Sequence, residues 1–179
     1  MSEAQASDQV FVTERLRARR WRDSDLEPLL AVYGDADAMR WVGDGSQLDP
    51  GEALRWLDVT RANYALRGYG MFALEDLDTG AVVGFIGIVH PGGQPEPEVK
   101  YAFARDRWGK GLATEAVRGV VEYGSSVHGL RRMIATTAPE NVASHRVLLK
   151  SGFEKGDLRD NGDETFTQLF DNGWCATRS

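Results

Sequence analysis

The sequence predicts an α+β fold of three layers, one sheet with helices on both faces, and three observations carry that expectation. The run Val82-Val83-Gly84-Phe85-Ile86-Gly87-Ile88-Val89 is apolar on both faces, which marks a central strand covered on each side. Two punctuated helical stretches precede it, and after it strand and helix patterns alternate before a closing hairpin. At 179 residues with 42% apolar side chains, the chain can fill one continuous core, so a single domain over 1–179 is expected, with flexible ends at about 1–8 and 172–179.

Taken in order, residues 10–21 read as the first strand, with Phe11, Val12 and Leu16 apolar. Asp23 or Ser24 can cap a first helix, because Leu26, Leu29, Leu30 and Tyr33 recur at helical spacing up to Gly34. Residues 35–41 read as a short helical turn. Asp49-Pro50 places an N-cap before a proline in the first helical position, opening a helix whose Ala53, Leu54, Leu57, Arg61, Tyr64 and Ala65 lie near one stripe until Gly68. Strands follow at 71–74 and 82–89, turning around Asp78-Thr79-Gly80. A loop rich in proline and glycine covers 90–97, and 98–103 is the next strand. A helix over 112–127, a strand at 133–136 and a helix over 141–150 ended by Ser151-Gly152 lead to a final hairpin between 153 and 170, turning near Asn161-Gly162.

Composition narrows the function. A formal net charge of -6 argues against a nucleic-acid surface, since neutralising phosphates takes clustered Lys and Arg. No apolar run approaches the roughly 20 residues needed to span a bilayer, and positions 1–8 hold acids and small polar residues where a signal sequence would be basic and apolar, so a cytoplasmic protein is expected. The single cysteine, Cys175, has no ligand cluster around it, reads as inert, and no metal site is expected.

The segment carrying most chemistry is Trp108-Gly109-Lys110-Gly111-Leu112-Ala113-Thr114-Glu115-Ala116, between a strand and a helix. Without a Cβ, Gly109 and Gly111 let the turn take positive φ and aim successive backbone N–H groups at one point, where the helix dipole also favours an anion. The segment lacks the third glycine of the dinucleotide fingerprint, and Thr114 does not follow Lys110 as a P-loop requires. A plain helix-start turn would have the same glycines. A second segment, Pro139-Glu140-Asn141-Val142-Ala143-Ser144-His145-Arg146, opens a helix after a strand; Asn141 and Ser144 share its first turn, where capping alone would account for them.

Together, in this order and one strand apart, the two segments resemble the GNAT acyltransferases. Thr13-Glu14-Arg15-Leu16-Arg17-Ala18-Arg19, Asp23-Ser24-Asp25 and the Trp-Gly-Lys-Gly-x-Ala-Thr-Glu-Ala loop resemble the RimJ/RimL branch, over about 13–153. The resemblance implies the GNAT acyl-CoA N-acyltransferase fold, a mixed sheet of six or seven strands splayed between the fourth and fifth, with acetyl-CoA as cosubstrate and its pantetheine in the splay. It implies that the amides of Trp108, Gly109, Lys110, Gly111, Leu112, Ala113 and Thr114 hold the pyrophosphate, that Tyr101, Ala102 and Phe103 offer main-chain groups to the pantetheine, and that Asn141 bonds the pantetheine amide or adjoining backbone. Ser144 and Arg146 fall beside the same cofactor, although spacing alone leaves His145 and Arg146 between the phosphates and solvent. Trp108 stands where the wider superfamily carries Gln or Arg, which puts more weight on backbone donors.

For chemistry, the resemblance implies Glu98 as the base that deprotonates the acceptor amine and Ser144 as the acid that protonates the leaving thiolate. Glu98 shares a strand face with Lys100, which replaces a glycine common in this branch, so an exposed ion pair beside Pro97 is the alternative reading. Trp41 and Tyr33 are the candidate acceptor contacts; Trp41 precedes the polar loop Val42-Gly43-Asp44-Gly45-Ser46, while Tyr33 sits at a spacing that serves a core equally well. The expected activity is transfer of an acetyl group to a primary amine, foremost the α-amine of a peptide or protein N-terminus. The alternatives are a small amine such as a polyamine, amino acid or aminoglycoside, and a module that binds acyl-CoA without turnover. Oligomeric state stays open, a homodimer through the last strands or the 172–179 tail being one arrangement.

Overall fold

The structure, a computed structural model, describes residues 8–42 and 45–173. The tail with Cys175, and Gly43 and Asp44 of the polar loop, lie outside the described residues. In chain order the elements are β1 (Gln9–Val12), β2 (Leu16–Arg19), α1 (Leu26–Tyr33), α2 (Ala36–Met39), α3 (Pro50–Arg67), β3 (Met71–Asp76), β4 (Val82–Val89), β5 (Glu98–Phe103), α4 (Leu112–His128), β6 (Ile134–Thr137), α5 (Val142–Lys150), β7 (Glu154–Asp160) and β8 (Phe166–Asp171).

The eight strands form one sheet in the order β1-β2-β3-β4-β5-β6-β8-β7. The expected six or seven become eight because 10–21 is a hairpin and not one strand. Its turn is closed by the Thr13 N–H donating to the Leu16 carbonyl at 2.8 Å, and β1 pairs antiparallel with β2. Every pairing is antiparallel except β5 with β6, which is parallel and holds a single pair, Glu98 with Ile134. The two strands therefore meet at Glu98 and part beyond it, which is the splay.

The central position read for 82–89 is borne out: β4 is buried along its middle, with Val83, Ile86 and Ile88 in a core beneath α4 and Phe85 in a second core beneath α1 and α3. α3 starts where the Asp49-Pro50 signal puts it. Asp49 Oδ1 accepts from the Glu52 N–H at 2.8 Å and the Glu52 carboxylate accepts from the Asp49 N–H at 2.9 Å, a capping box, and Gly68 at φ +80 ends the helix. α1 is led in by a 3₁₀ turn, Asp23–Asp25, so Asp25 takes the cap position in place of Asp23 or Ser24. Arg19, Asp25 and Glu75, all buried, tie β2, β3 and the start of α1 together: the Arg19 guanidinium donates to both Asp25 oxygens at 2.6 and 2.9 Å, and its Nε donates to Glu75. Among the described residues, no helix is long and apolar enough to cross a membrane.

Candidate active site

Where β5 and β6 part, a cavity of about 470 Å³ opens between the two halves of the sheet. Its middle is apolar, from Val99, Phe103, Leu112, Ala135, Val147 and Leu148. All the residues predicted to hold the cofactor line it: Tyr101, Ala102 and Phe103 on β5, positions 108–114 in the loop and first turn of α4, and Asn141, Ser144 and Arg146 at the start of α5.

At one end the loop before α4 turns through Gly109 at φ +71 and Gly111 at φ +78, a backbone region that side chains with a Cβ resist. A Cβ on Gly109 would meet nothing within 4 Å, so φ, not crowding, asks for glycine, and the loop surface stays clear for a ligand. The first intrahelical bond of α4 runs from the Glu115 N–H to the Gly111 carbonyl at 3.2 Å, which leaves the amides of Leu112, Ala113 and Thr114 without a helical acceptor. Lys110, Arg146 and Lys150 line the same cavity, an accumulation of cations in a chain of net charge -6. Amide donors, a helix N-terminus and these cations fit the diphosphate of acetyl-CoA.

The loop is fastened from outside by the turn between β1 and β2. Arg15 Nη1 donates to the Lys110 carbonyl at 2.9 Å, and Arg15 Nε donates to Glu115 at 2.7 Å. Glu115 also accepts from the Arg15 N–H at 2.7 Å and the Thr13 hydroxyl at 2.6 Å. Burial works to raise the Glu115 pKa, but these hydrogen bonds outweigh it and hold the carboxyl below its ordinary range. The folded value thus lies under the unfolded one of about 4.3, so the latch is fully in force above that pH and is lost as pH falls through the folded value. Glu115→Gln is expected to weaken acetyl-CoA binding at pH 7 about five- to tenfold with kcat largely kept, by titration calorimetry and steady-state kinetics. In melting scans its stability deficit should narrow as pH falls below the unfolded value of about 4.3.

Toward β6, the Tyr101 hydroxyl meets Ser144 Oγ at 2.6 Å, and burial pushes the Tyr101 phenol up to about 12, so it stays protonated at neutral pH. Either oxygen can donate in this pair, and one hydroxyl hydrogen is left over whichever does. Sequence reading gave Tyr101 only a main-chain part; alternation on β5 puts it on the α5 face, but nothing local to it points to Ser144. Asn141 caps α5, its Oδ1 accepting from the Ser144 N–H at 3.1 Å. His145 turns away from the cavity, its Nε2 lying 2.9 Å from Thr137 Oγ1 and 3.2 Å from the Ala138 carbonyl.

Glu98 sits at the apex of the splay and is 2% exposed. The ion pair with Lys100 is present, but it is not the exposed pair beside Pro97 that the alternative reading expects. The carboxylate also accepts from Gln94 Nε2 at 3.1 Å and from the Thr136 hydroxyl, and Lys100 Nζ donates to Thr136 Oγ1 at 3.0 Å across the gap between the strands. Gln94 is set by His90, whose Nδ1 lies 2.9 Å from the Gln94 carbonyl and must donate, since a carbonyl only accepts. Lys100 and Thr136 line the cavity, and Glu98 lies behind them. Thr136 and Gln94 escaped the sequence reading, for both are joined to Glu98 only by the fold.

Asp37, Ala38, Trp41 and Val42, at and after α2, line another side of the cavity. Trp41 is 42% exposed there, with the Arg40 guanidinium 5.3 Å from its ring centroid. Tyr33 is a correction. It is buried, stacked on Phe85 at 4.4 Å and packed on Trp56 at 5.0 Å, and so belongs to the core beneath α1. Among the described residues, no group of three His, Cys, Asp or Glu side chains is placed to hold a metal ion.

Residues 15–154 match the acetyltransferase (GNAT) domain family. The chain belongs to the GNAT acetyltransferase family. The uncharacterized N-acetyltransferase YoaA of Bacillus subtilis (strain 168) is 32% identical over 153 residues, 84% of this chain and 86% of the relative. The fold is shared with RimL, a ribosomal L7/L12 α-N-protein acetyltransferase solved in complex with coenzyme A, at 15% identity and a TM-score of 0.77 over 92% of this chain and 97% of that one. It is shared equally with AAC(6')-Ib in complex with paromomycin and acetyl-CoA, at 18% identity and a TM-score of 0.75 over 93% and 99%. This acetyltransferase therefore uses acetyl-CoA to acetylate an amine. At those identities the fold is common to the solved structures, and the acceptor must be argued from this chain's own residues.

Proposed function

We propose that the acetyltransferase acts on the α-amine of a peptide or protein N-terminus. The observation that carries this reading is the state of Glu98, whose oxygens already accept from Lys100, Thr136 and Gln94. With those oxygens already occupied, the site is best served by an acceptor that is partly neutral on its own. An α-amine with a pKa of about 7.7–8.0 is roughly one-tenth neutral at pH 7, whereas a lysine amine at about 10.4 needs some 3.4 units, roughly 4 to 5 kcal/mol, to shed its proton. The Lys100 ammonium at the cavity wall lowers the pKa of a neighbouring amine further and disfavours polycations.

Bound acetyl-CoA supplies a thioester carbonyl and a thiolate leaving group. The Trp108 N–H donates to the Arg105 carbonyl at 3.2 Å, so the expected run of donors starts one residue later. The chain's part is to hold the diphosphate on the amides of 109–114, align the pantetheine along β5, take one proton from the amine toward Glu98 and give one to the thiolate from Ser144. Trp41 and Asp37 form the wall against which the acceptor lies.

Thiol release is the test, run against peptides with free Ser or Ala N-termini, N-blocked peptides bearing lysine, and polyamines and aminoglycosides. Free N-termini are expected to show kcat/KM at least about tenfold above the blocked lysine peptides. A polyamine or aminoglycoside preferred over every peptide would overturn the reading in favour of a small-amine enzyme, and silence across all acceptors despite acetyl-CoA binding would favour a binding module.

A further inference from the structure

We propose that Thr136 is a catalytic residue, the relay through which the acceptor amine passes its proton to Glu98. The inference rests on the reading of Glu98 as base and adds the path by which a carboxylate 2% exposed serves a cavity it does not line. Two side chains stand between Glu98 and the cavity, Lys100 and Thr136, and both line it.

The directions of the hydrogen bonds choose between them. An ammonium has only donors and an ionised carboxylate only acceptors. Lys100 Nζ, 3.0 Å from Thr136 Oγ1, must therefore donate to it, and the Thr136 hydroxyl must donate to Glu98 Oε1. Lys100 offers no lone pair and cannot accept the amine's proton without first losing its own. Thr136 Oγ1 has two lone pairs, one of them engaged by Lys100, and the other remains for an N–H donor in the cavity.

The step balances as a double transfer. An N–H bond of the acceptor breaks as an O–H bond forms at Thr136 Oγ1, while the original Thr136 O–H bond breaks and its proton joins Glu98 Oε1. Thr136 ends as it began, Glu98 ends neutral, and Lys100 keeps its charge throughout. The backbone explains why a side chain on β6 has this place. The β5–β6 ladder stops after Glu98 and Ile134, and two residues further along each strand Lys100 and Thr136 face each other across the opening.

The test compares Thr136→Val, which keeps the shape and removes the hydroxyl, with Thr136→Ser, which keeps the hydroxyl, beside Glu98→Gln and the Thr136→Val/Glu98→Gln double variant. Acetyl-CoA affinity and the melting midpoint report that each variant is folded, and Thr136→Ala stands in should Thr136→Val fold poorly. Expected are a fall in kcat of about 100-fold for Thr136→Val, close to that of Glu98→Gln, little further loss in the double variant, and recovery of most of the rate in Thr136→Ser. If Thr136→Val stays within about threefold of wild type while Glu98→Gln falls, Glu98 works without the relay and the proposal is overturned. If neither falls, Glu98 is not the base and the relay goes with it. Equal losses in Thr136→Val and Thr136→Ser would mark the residue as shaping the cavity and would also overturn the proposal.

Discussion

Arg19→Met is expected to destabilise the protein by about 3–5 kcal/mol, because it removes the guanidinium that pairs with both the Asp25 and Glu75 carboxylates in the interior. Methionine keeps most of the stem's volume, so lost packing contributes little. Glu75 retains Arg17, whose Nη1 is 3.3 Å away, and the stranded charge falls chiefly on Asp25. For a domain of 150–250 residues each kcal/mol moves the melting midpoint by about 2–4 °C, so the midpoint should drop by roughly 6–20 °C. Urea unfolding should place the change in the midpoint concentration with the slope preserved. Function should follow stability at a distance. The cluster anchors the start of α1, and through α1 and α2 the cavity wall at Trp41, so on the proposed placement of the acceptor, activity measured well below the melting midpoint should change more in the acceptor KM than in that for acetyl-CoA.

Much of the architecture is legible because it is written in local chemistry. The Asp49-Pro50 cap with Glu52 three residues on, the glycines at 68, 109 and 111, and the apolar run of β4 each act within a few residues, and the structure places helices, loop and central strand where they predict. The hairpin of β1 and β2 is the instructive failure. Thr13-Glu14-Arg15 contains no glycine, proline or asparagine, and the Thr13–Leu16 bonds that close the turn are backed by Glu115, 102 positions from Thr13, which accepts from the Thr13 hydroxyl and from both the backbone and side chain of Arg15. A turn that leans this much on tertiary contacts carries only a weak local signature, here the Thr13 hydroxyl accepting from the Leu16 N–H. The site divides along the same line. The phosphate end is built from consecutive backbone and could be read as a motif, whereas the Glu98 network draws on the loop before β5, on β5 itself and on β6. Tyr33 failed because helical spacing is the same for an aromatic in a core and one on a binding wall.

Glu98→Gln is expected to lower kcat by about 100-fold, equivalent to roughly 3 kcal/mol of barrier, with the KM for acetyl-CoA little changed because the cofactor wall is untouched. The buried ion pair complicates that measurement. Glutamine leaves the Lys100 ammonium without its counter-charge beside the cavity, and a stranded charge can slow a reaction by repelling the acceptor or by shifting the strands that hold the splay. Glu98→Gln/Lys100→Met separates the two causes. If the single variant is slow because Lys100 is orphaned, removing Lys100 should restore the rate along with the melting midpoint. If it is slow because the proton acceptor is gone, the midpoint should recover while kcat stays within about threefold of the single variant, and this divergence is the expected result. A double variant that regains both would leave Glu98 as the partner that keeps Lys100 in place, and the amine would then have to reach the cavity already neutral. That requirement would favour N-terminal α-amines over lysine side chains even more strongly.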